Sequence, residues 1–435
     1  MISETVLRKG WCPGARRPMQ AKDGLLVRLR ISGGIVSATT LRGLAQAGRA
    51  HGSGVFDLSA RANLQMRGVR GESLPLLTET LAGLGLLDQN AAAEAVRNVM
   101  VSPLAGLDGR IDAARSALEL EAALAANTDL HALPGKFGFL IDDGSALSLG
   151  SVPADVRFDW IGGPRLFAIG IGGRANEAIY LGCCKGDDIS RAALRIARAF
   201  LRLGLQMAEP PRRMRDLIER CGAGAIAALA GLRPGPPRKS DANEEPCPVG
   251  LLRFNESTCF GVGAAFGRLD ADMLDTAACA AEVFGAGEIR LTPWRALIVP
   301  HVQERQADAL RAHFAAQGFV VDPKDARLAI AACGGASTCE RGTTDTRSDA
   351  LALMYAARRL CKTGVALHVS GCAKGCARQA PTPFTLVAHA GRYNLAVDAC
   401  DARISDAKGL DLAAARKILE TMASDSGRRS ELERQ

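Results

Sequence analysis

The chain has 435 residues, 48% of them hydrophobic and 23% charged, enough to bury a sizeable core and to form more than one domain. Its formal net charge of +8 suits a polyanionic ligand. Aromatic residues at 4% are too scarce for a nucleic-acid stacking platform, no zinc-finger, basic-zipper or RNA-recognition pattern is present, and no run reaches the ~18 apolar residues of a membrane span.

Taken in order, MISETVLRKGWCPG lacks an apolar leader, which reads as a cytoplasmic chain. The thirteen cysteines, an odd number without a secretion signal, then read as reduced thiols available for metal or redox chemistry. GLLVRLR, from Gly24, alternates as a strand does. The segment 33–69 reads as strand, a helix from about Thr40, a Gly-x-Gly turn and a second strand. A larger α+β unit is predicted over 90–232, with FAIGIGGRANEAIYLG (167–182) as a hairpin joined at Gly-Arg-x-Asn.

RPGPPRKSDANEEP (233–246) has the prolines and charges of a linker. Beyond it the pattern starts again. GLLRFN from Gly250 echoes GLLVRLR, 266–302 echoes 33–69 with its helix from about Asp272, and FTLVAHAGRYNLAVDA (384–399) echoes 167–182. The predicted organisation is α+β in two pseudo-symmetric halves, each a ferredoxin-like α/β unit (10–80, 247–305) followed by a larger α+β unit (90–232, 315–423). A polar tail, 424–435, is expected to fray.

Only the second half carries paired cysteines, in AACGGASTCE (331–340) and HVSGCAKGCARQAP (368–381). Cys333, Cys339, Cys372 and Cys376 give C-x5-C and C-x3-C, a set of four thiolates that suits the four irons of a [4Fe–4S] cubane. The flanking Gly334, Gly335, Gly371 and Gly375 offer close backbone approach and N–H donors. Zinc is the alternative, since C-x3-C is tolerable for it, although a glycine-rich C-x5-C knuckle is unusual. Cys221, Cys279, Cys361 and Cys400 read as unpaired core thiols.

C-x5-C followed by G-C-x3-C on a duplicated chain resembles the sulfite and nitrite reductase superfamily, in which the last cysteine also bridges to sirohaem iron; Cys376 occupies that position. LSARANLQMRG (58–68) resembles the reductases' T-T-R-Q-x-x-Q segment and supplies Arg61 and Gln65. VRNVM (96–100) resembles their R-N-V segment and supplies Arg97 and Asn98. LPGKFGF (133–139) resembles their P-R-K-F-K segment and supplies Lys136. The resemblance implies that these five residues bind a tetrapyrrole and that Arg61, Arg97 and Lys136 serve catalysis.

The reductases' second lysine is Gly138 here, and multi-proton reduction of sulfite or nitrite would miss that donor. With GWCPGARRPMQAKDGLLVRLR (10–30), this makes the chain similar to the precorrin-3B synthase branch of the superfamily. That likeness implies a monooxygenase of aerobic cobalamin biosynthesis. Its substrates would be precorrin-3A and O2, its cofactors a [4Fe–4S] cluster and a separate non-haem iron, and its reductant a donor protein, because no dinucleotide fingerprint is present. A sirohaem-dependent sulfite or nitrite reductase is the alternative reading, and a non-catalytic electron carrier a third. No iron ligands are assigned to His51 or His131, which lie near the matched segments.

Overall fold

The computed structural model describes residues 12–432 apart from 108–110, 112, 164, 234, 236–244, 255–256, 361–363 and 400–406. Trp11, most of the linker, Cys361, Cys400 and the last three residues therefore lie outside the described residues.

The first half runs β1 (Met19–Ala21), β2 (Gly24–Leu29), β3 (Ile35–Ser37), α1 (Ala38–His51), β4 (Val55–Leu58), β5 (Leu64–Val69), α2 (Leu74–Gly83) and α3 (Ala91–Val96). It continues with β6 (Val99–Val101), α4 (Ala113–Ala126), β7 (Phe139–Asp142), β8 (Ala154–Trp160), β9 (Leu166–Gly173), β10 (Ile179–Lys185), α5 (Ile189–Gly204) and α6 (Met214–Ala230). The second half repeats the plan: β11 (Gly250–Phe254), β12 (Ser257–Gly263), β13 (Arg268–Asp270), α7 (Ala271–Phe284), β14 (Glu288–Leu291), β15 (Ala296–Val299) and α8 (Ala307–Ala316). There follow β16 (Ile330–Ala332), the short α9 (Gly335–Thr338), α10 (Thr346–Leu360), β17 (Leu367–Ser370), β18 (Thr382–His389), β19 (Arg392–Ala399), β20 (Ala407–Leu410) and α11 (Leu412–Leu432). Helix α11 runs through most of the segment predicted to fray.

The two ferredoxin-like units are not separate bodies. Their sheets have the orders β1-β2-β5-β4-β13 and β11-β12-β15-β14-β3, so each takes an edge strand from the other half. The exchange is reciprocal down to single hydrogen bonds. The N–H that opens α1, on Ala38, donates to Gly287 O at 2.9 Å, and the N–H that opens α7, on Ala271, donates to Gly54 O at 2.8 Å. Ser37 and Asp270 cap the two helices with their side chains. Alternation decides the faces: Val27, Leu29, Phe56, Leu58, Leu64 and Met66 turn inward and join residues of α1, α7, β12 and β15 in one core.

The larger units are five-stranded sheets of identical plan, β6-β7-β8-β9-β10 and β16-β17-β18-β19-β20, parallel over their first three strands and antiparallel thereafter. This corrects two of the sequence matches. The segments 33–69 and 266–302 are true counterparts, but β2 corresponds to β12 rather than to the β11 that contains GLLRFN. Likewise the β9–β10 hairpin corresponds to β19–β20, not to the β18–β19 hairpin at 384–399. Short apolar strands resemble their neighbours, and two six- to sixteen-residue echoes slipped by one strand.

Gly48 sits where α1 crosses β4. Alanine there would improve helix propensity by about 1 kcal/mol, but its Cβ would stand 2.6 Å from the Phe56 ring, which is fully buried. Overpacking costs about 1–3 kcal/mol, so Gly48→Ala should lower the urea midpoint with an unchanged m-value.

Candidate functional site

The four paired cysteines lie on two loops at the ends of adjacent parallel strands: Cys333 directly after β16, Cys339 at the end of α9, and Cys372 and Cys376 after β17. Three glycines bring the loops together. A Cβ on Gly342 would lie 2.4 Å from the Gly335 carbonyl carbon, and one on Gly371 would lie 3.2 and 3.3 Å from the Cα atoms of Gly335 and Gly342. The Gly371 N–H donates to Cys333 Sγ at 3.1 Å. Thr346 Oγ1 donates to Cys333 O at 2.7 Å, tying the loop to α10.

The thiols converge electrostatically. Burial pushes the Cys376 thiol up against the pull of Lys374, and Cys333, Cys372 and Cys339 push it further. Yet among the described residues no group of three or more His, Cys, Asp or Glu is gathered tightly enough for a single metal ion. A tetrahedral zinc with ~2.3 Å bonds would draw its sulfurs to ~3.8 Å of one another. The Gly371 N–H aimed at Cys333 Sγ and the close-packed glycines are features that a cluster held by these thiols would use.

The ferredoxin-like units hold these loops by their carbonyls. Lys22 Nζ donates to Ala336 O at 2.8 Å, Arg67 Nη2 to Thr338 O at 2.8 Å and Arg295 Nη2 to Ala377 O at 2.5 Å. Arg67 is itself fixed by Asp23 at 2.6 and 2.8 Å. Arg67 lies inside the LSARANLQMRG segment but is not one of its matched positions, and Arg295 belongs to no motif.

A cationic cleft lies in the first half, lined by Arg30, Arg61, Arg97, Asn98, Gly138 and Arg213 among others. Arg61 is presented by the Ser59–Asn63 turn, closed by Ser59 and Asn63 backbone bonds, and its Nη2 donates to Lys136 O at 2.8 Å. Burial and Arg213 pull its pKa down, while Cys12 and Asp155 oppose them. Its Nη1 has no acceptor among the described residues, and the same holds for Nε of Arg28 and of Arg30. Burial and Arg28 bring Arg30 to about 10. Lys136 faces Cys12, Lys374 and Cys376; burial pulls its pKa down. Gln65 pairs across the sheet with Arg28 and Asp57, on the face away from the core.

Two expected ligand-binding residues are spent on the protein itself. Every N–H of Arg97 is occupied: Nε and Nη2 hold Asp88 at 2.8 and 2.9 Å, Nη1 holds Glu121 at 3.0 Å and Ser32 at 2.6 Å, and Nη2 also reaches Arg30 O at 3.2 Å. Burial opposes its charge, but Asp88 and Glu121 outweigh it, so its pKa lies above the usual guanidinium value. Asn98 accepts from Arg30 Nη1 and donates to Ala95 O at 2.9 Å and Gly135 O at 3.3 Å. Arg97 and Asn98 thus position the cleft rather than offer it donors. Conversely, Asp155 and Arg213 went unrecognised in the sequence. The buried Asp155 carboxylate accepts from the Gly138 N–H at 2.9 Å and from Arg213 Nε at 3.0 Å. His131 caps a turn on Ala125 O at 3.0 Å.

Comparison with known proteins agrees with this architecture. The model of the nitrite/sulfite reductase ferredoxin-like half domain matches residues 17–84 and 255–317, the two strand-exchanged units. A precorrin-3B synthase of Sinorhizobium sp. is 31% identical, covering 90% of this chain and 83% of that protein. A ferredoxin–nitrite reductase of Synechococcus elongatus is 28% identical over 81% of this chain and 73% of its own. The solved structure of Mycobacterium tuberculosis NirA protein superposes with a TM-score of 0.72 at 22% identity, covering 86% of this chain and 74% of that one. Among the described residues no helix is long and apolar enough to cross a membrane.

The glycine floor yields a direct test. In Gly342→Ala the added methyl group cannot fit beside Gly335 and Ala336 of the same loop, so the loop that carries Cys333 and Cys339 must open. Bound iron and labile sulfide should fall by more than about half while far-ultraviolet circular dichroism stays near wild type.

Proposed function

This chain belongs to the sulfite and nitrite reductase superfamily, in its precorrin-3B synthase branch, and from that premise we propose that it hydroxylates precorrin-3A at C-20 with O2 and closes a γ-lactone from the neighbouring acetate. The observation that carries the reading beyond the family is Gly138. It lines the cationic cleft with no side chain, at the position where the resemblance to the reductases calls for a second lysine. A cleft lacking that proton donor is poorly equipped for reductions that consume many protons, whereas hydroxylation takes up two electrons and two protons as one oxygen enters the product and the other leaves as water.

Cys333, Cys339, Cys372 and Cys376 would hold a [4Fe–4S] cluster, which when bound passes single electrons inward from a donor protein. The orphaned donors of Arg28, Arg30 and Arg61 would take the peripheral carboxylates of the macrocycle, because a buried N–H without an acceptor costs stability that an anion restores. Lys136 faces both Cys12 and the cysteine loop, and burial eases release of a proton from its Nζ. Arg97 and Asn98 keep Arg30 and the Lys136 loop in place. No described set of side chains is gathered for a separate mononuclear iron, and no step is assigned to one.

Reduced protein supplied with precorrin-3A under 18O2 should give a hydroxy-lactone carrying label by mass spectrometry, while sulfite or nitrite under argon should give no useful turnover. Sulfide or ammonia formation dependent on added sirohaem would favour the reductase alternative instead. The nearest atom to a Cβ at Gly138 is Arg61 Nη1, at 3.8 Å; Gly138→Lys, checked for a wild-type circular dichroism spectrum, tests whether the missing cation suffices to raise reductase turnover.

Arg61 and Arg97 should separate in mutagenesis. Arg61→Gln should weaken binding of a polycarboxylated porphyrin about ten- to a hundredfold, the equivalent of about 1.5–3 kcal/mol, with little change in unfolding midpoint. Arg97→Gln leaves the buried Glu121 and the part-buried Asp88 without their cation, and should cost about 3–5 kcal/mol of stability in denaturant titration.

A further inference from the structure

Cys12 stands beside Arg61 at the edge of the cleft, and a buried carboxylate fixes the segment that carries it. Glu94 accepts from the N–H of Ala15 at 2.6 Å and of Arg16 at 3.1 Å. A Cβ at Gly14 would lie 2.3 Å from the Glu94 carboxylate, so a side chain there would displace it. The thiol comes to rest beside the loop of Lys136, with its Cβ 3.8 Å from where a Gly135 Cβ would be.

Its surroundings are cationic. Burial pulls the thiol up, but the charges of Arg28, Arg61 and Lys136 and a hydrogen bond from Arg28 outweigh it, and the net direction is down. The other described cysteines with a resolved shift go the opposite way: burial pushes Cys184 and Cys259 to about 12 and raises Cys221, Cys247 and Cys376. A second observation, independent of the thiol, points to an anion at the same place. Arg30 is 4% exposed, and its Nε, with Nε of Arg28 and Nη1 of Arg61, lacks an acceptor among the described residues. Three like charges also repel a metal cation, so this sulfur is suited to act as a nucleophile and not as a metal ligand.

We infer that Cys12 is a peroxide-reactive thiolate built into the anion cleft, and that its oxidation to the sulfenic acid closes the cleft to polycarboxylated ligands. The sulfur attacks one oxygen of hydrogen peroxide; an S–O bond forms, the O–O bond breaks, and hydroxide leaves and takes up a proton as water. Sulfur gives up two electrons and peroxide accepts them. The new oxygen sits among N–H groups that have no other acceptor and occupies donors that a ligand carboxylate would use. The inference rests on the cleft and goes beyond the identity of the reaction.

The test uses the full chain, purified anaerobically with its cluster. Limiting iodoacetamide at neutral pH, followed by peptide mass spectrometry, should modify Cys12 about tenfold faster than the exposed Cys183, and uroporphyrin should slow labelling of Cys12 but not of Cys183. Arg28→Gln should slow Cys12 labelling severalfold with unchanged circular dichroism. Limiting peroxide followed by dimedone should leave the adduct on Cys12 and weaken uroporphyrin binding, read by fluorescence quenching, about tenfold in the parent protein but not in Cys12→Ser. Cluster absorbance followed throughout reports damage to the other four thiols. Equal labelling of Cys12 and Cys183, or an equal loss of porphyrin binding in Cys12→Ser, overturns the proposal. None of these readouts uses turnover, so they stand or fall separately from the oxygenase reading.

Discussion

The pairing of β3 with β14 and of β13 with β4 is the constraint on which the rest of the molecule depends, because it makes the two halves one body before any site is formed. Each ferredoxin-like sheet is completed by the other half, and α1 and α7 pack in a shared core. With the sheets locked, the polar face of the first sheet, bearing Arg28, Gln65 and Arg67, is held at a set distance from the loops of the second half. Arg67 and Lys22 can then grip the carbonyls of Thr338 and Ala336. The same grip exists on the pseudo-symmetric side, where Arg290 Nη1 reaches Ala105 O at 3.0 Å and Ser257 Oγ reaches Leu107 O at 2.7 Å.

That symmetry also shows how the halves diverged. Ser102 follows β6 as Cys333 follows β16, and Asp143 follows β7 as Gly371 follows β17. The N–H of Asp143 donates to Ser102 Oγ at 2.9 Å, and the N–H of Gly371 donates to Cys333 Sγ at 3.1 Å. One backbone hydrogen bond thus survives on two chemistries. In the first half the loops close on themselves, with Asp142 accepting from Ser102 at 3.1 Å and from Ser148 at 2.7 Å. In the second, Cys333 and Gly371 stand in place of the polar knot.

The basic residues divide by whether the protein answers their charge. Arg97, Arg67 and Arg157 are each held by carboxylates, Arg157 bidentately by Asp159 at 2.8 Å; they behave as structural ions whose removal would strand a buried anion. Arg28, Arg30 and Arg61 keep donors that no described residue answers. The second group is the one a ligand can complete, and it surrounds Cys12.

Sequence by itself determined the α+β duplication, since a helix between two alternating strands recurs at 33–69 and 266–302 over a length that chance does not supply. It also marked the four cysteines as a set, because their spacing and glycines are local properties of two short loops. Strand equivalence at 24 and 250, and at 167 and 384, was misread because a few alternating apolar residues look the same in any strand of a sheet. The partners of each charge were decided only by the tertiary structure. Arg97 and Arg61 are indistinguishable as letters, yet one meets two carboxylates and the other points a bare N–H into a cleft. Arg295 and Asp155 carry no signature in the chain because their roles consist of contacts with residues tens of positions away, and only the folded backbone brings those atoms within a few ångströms.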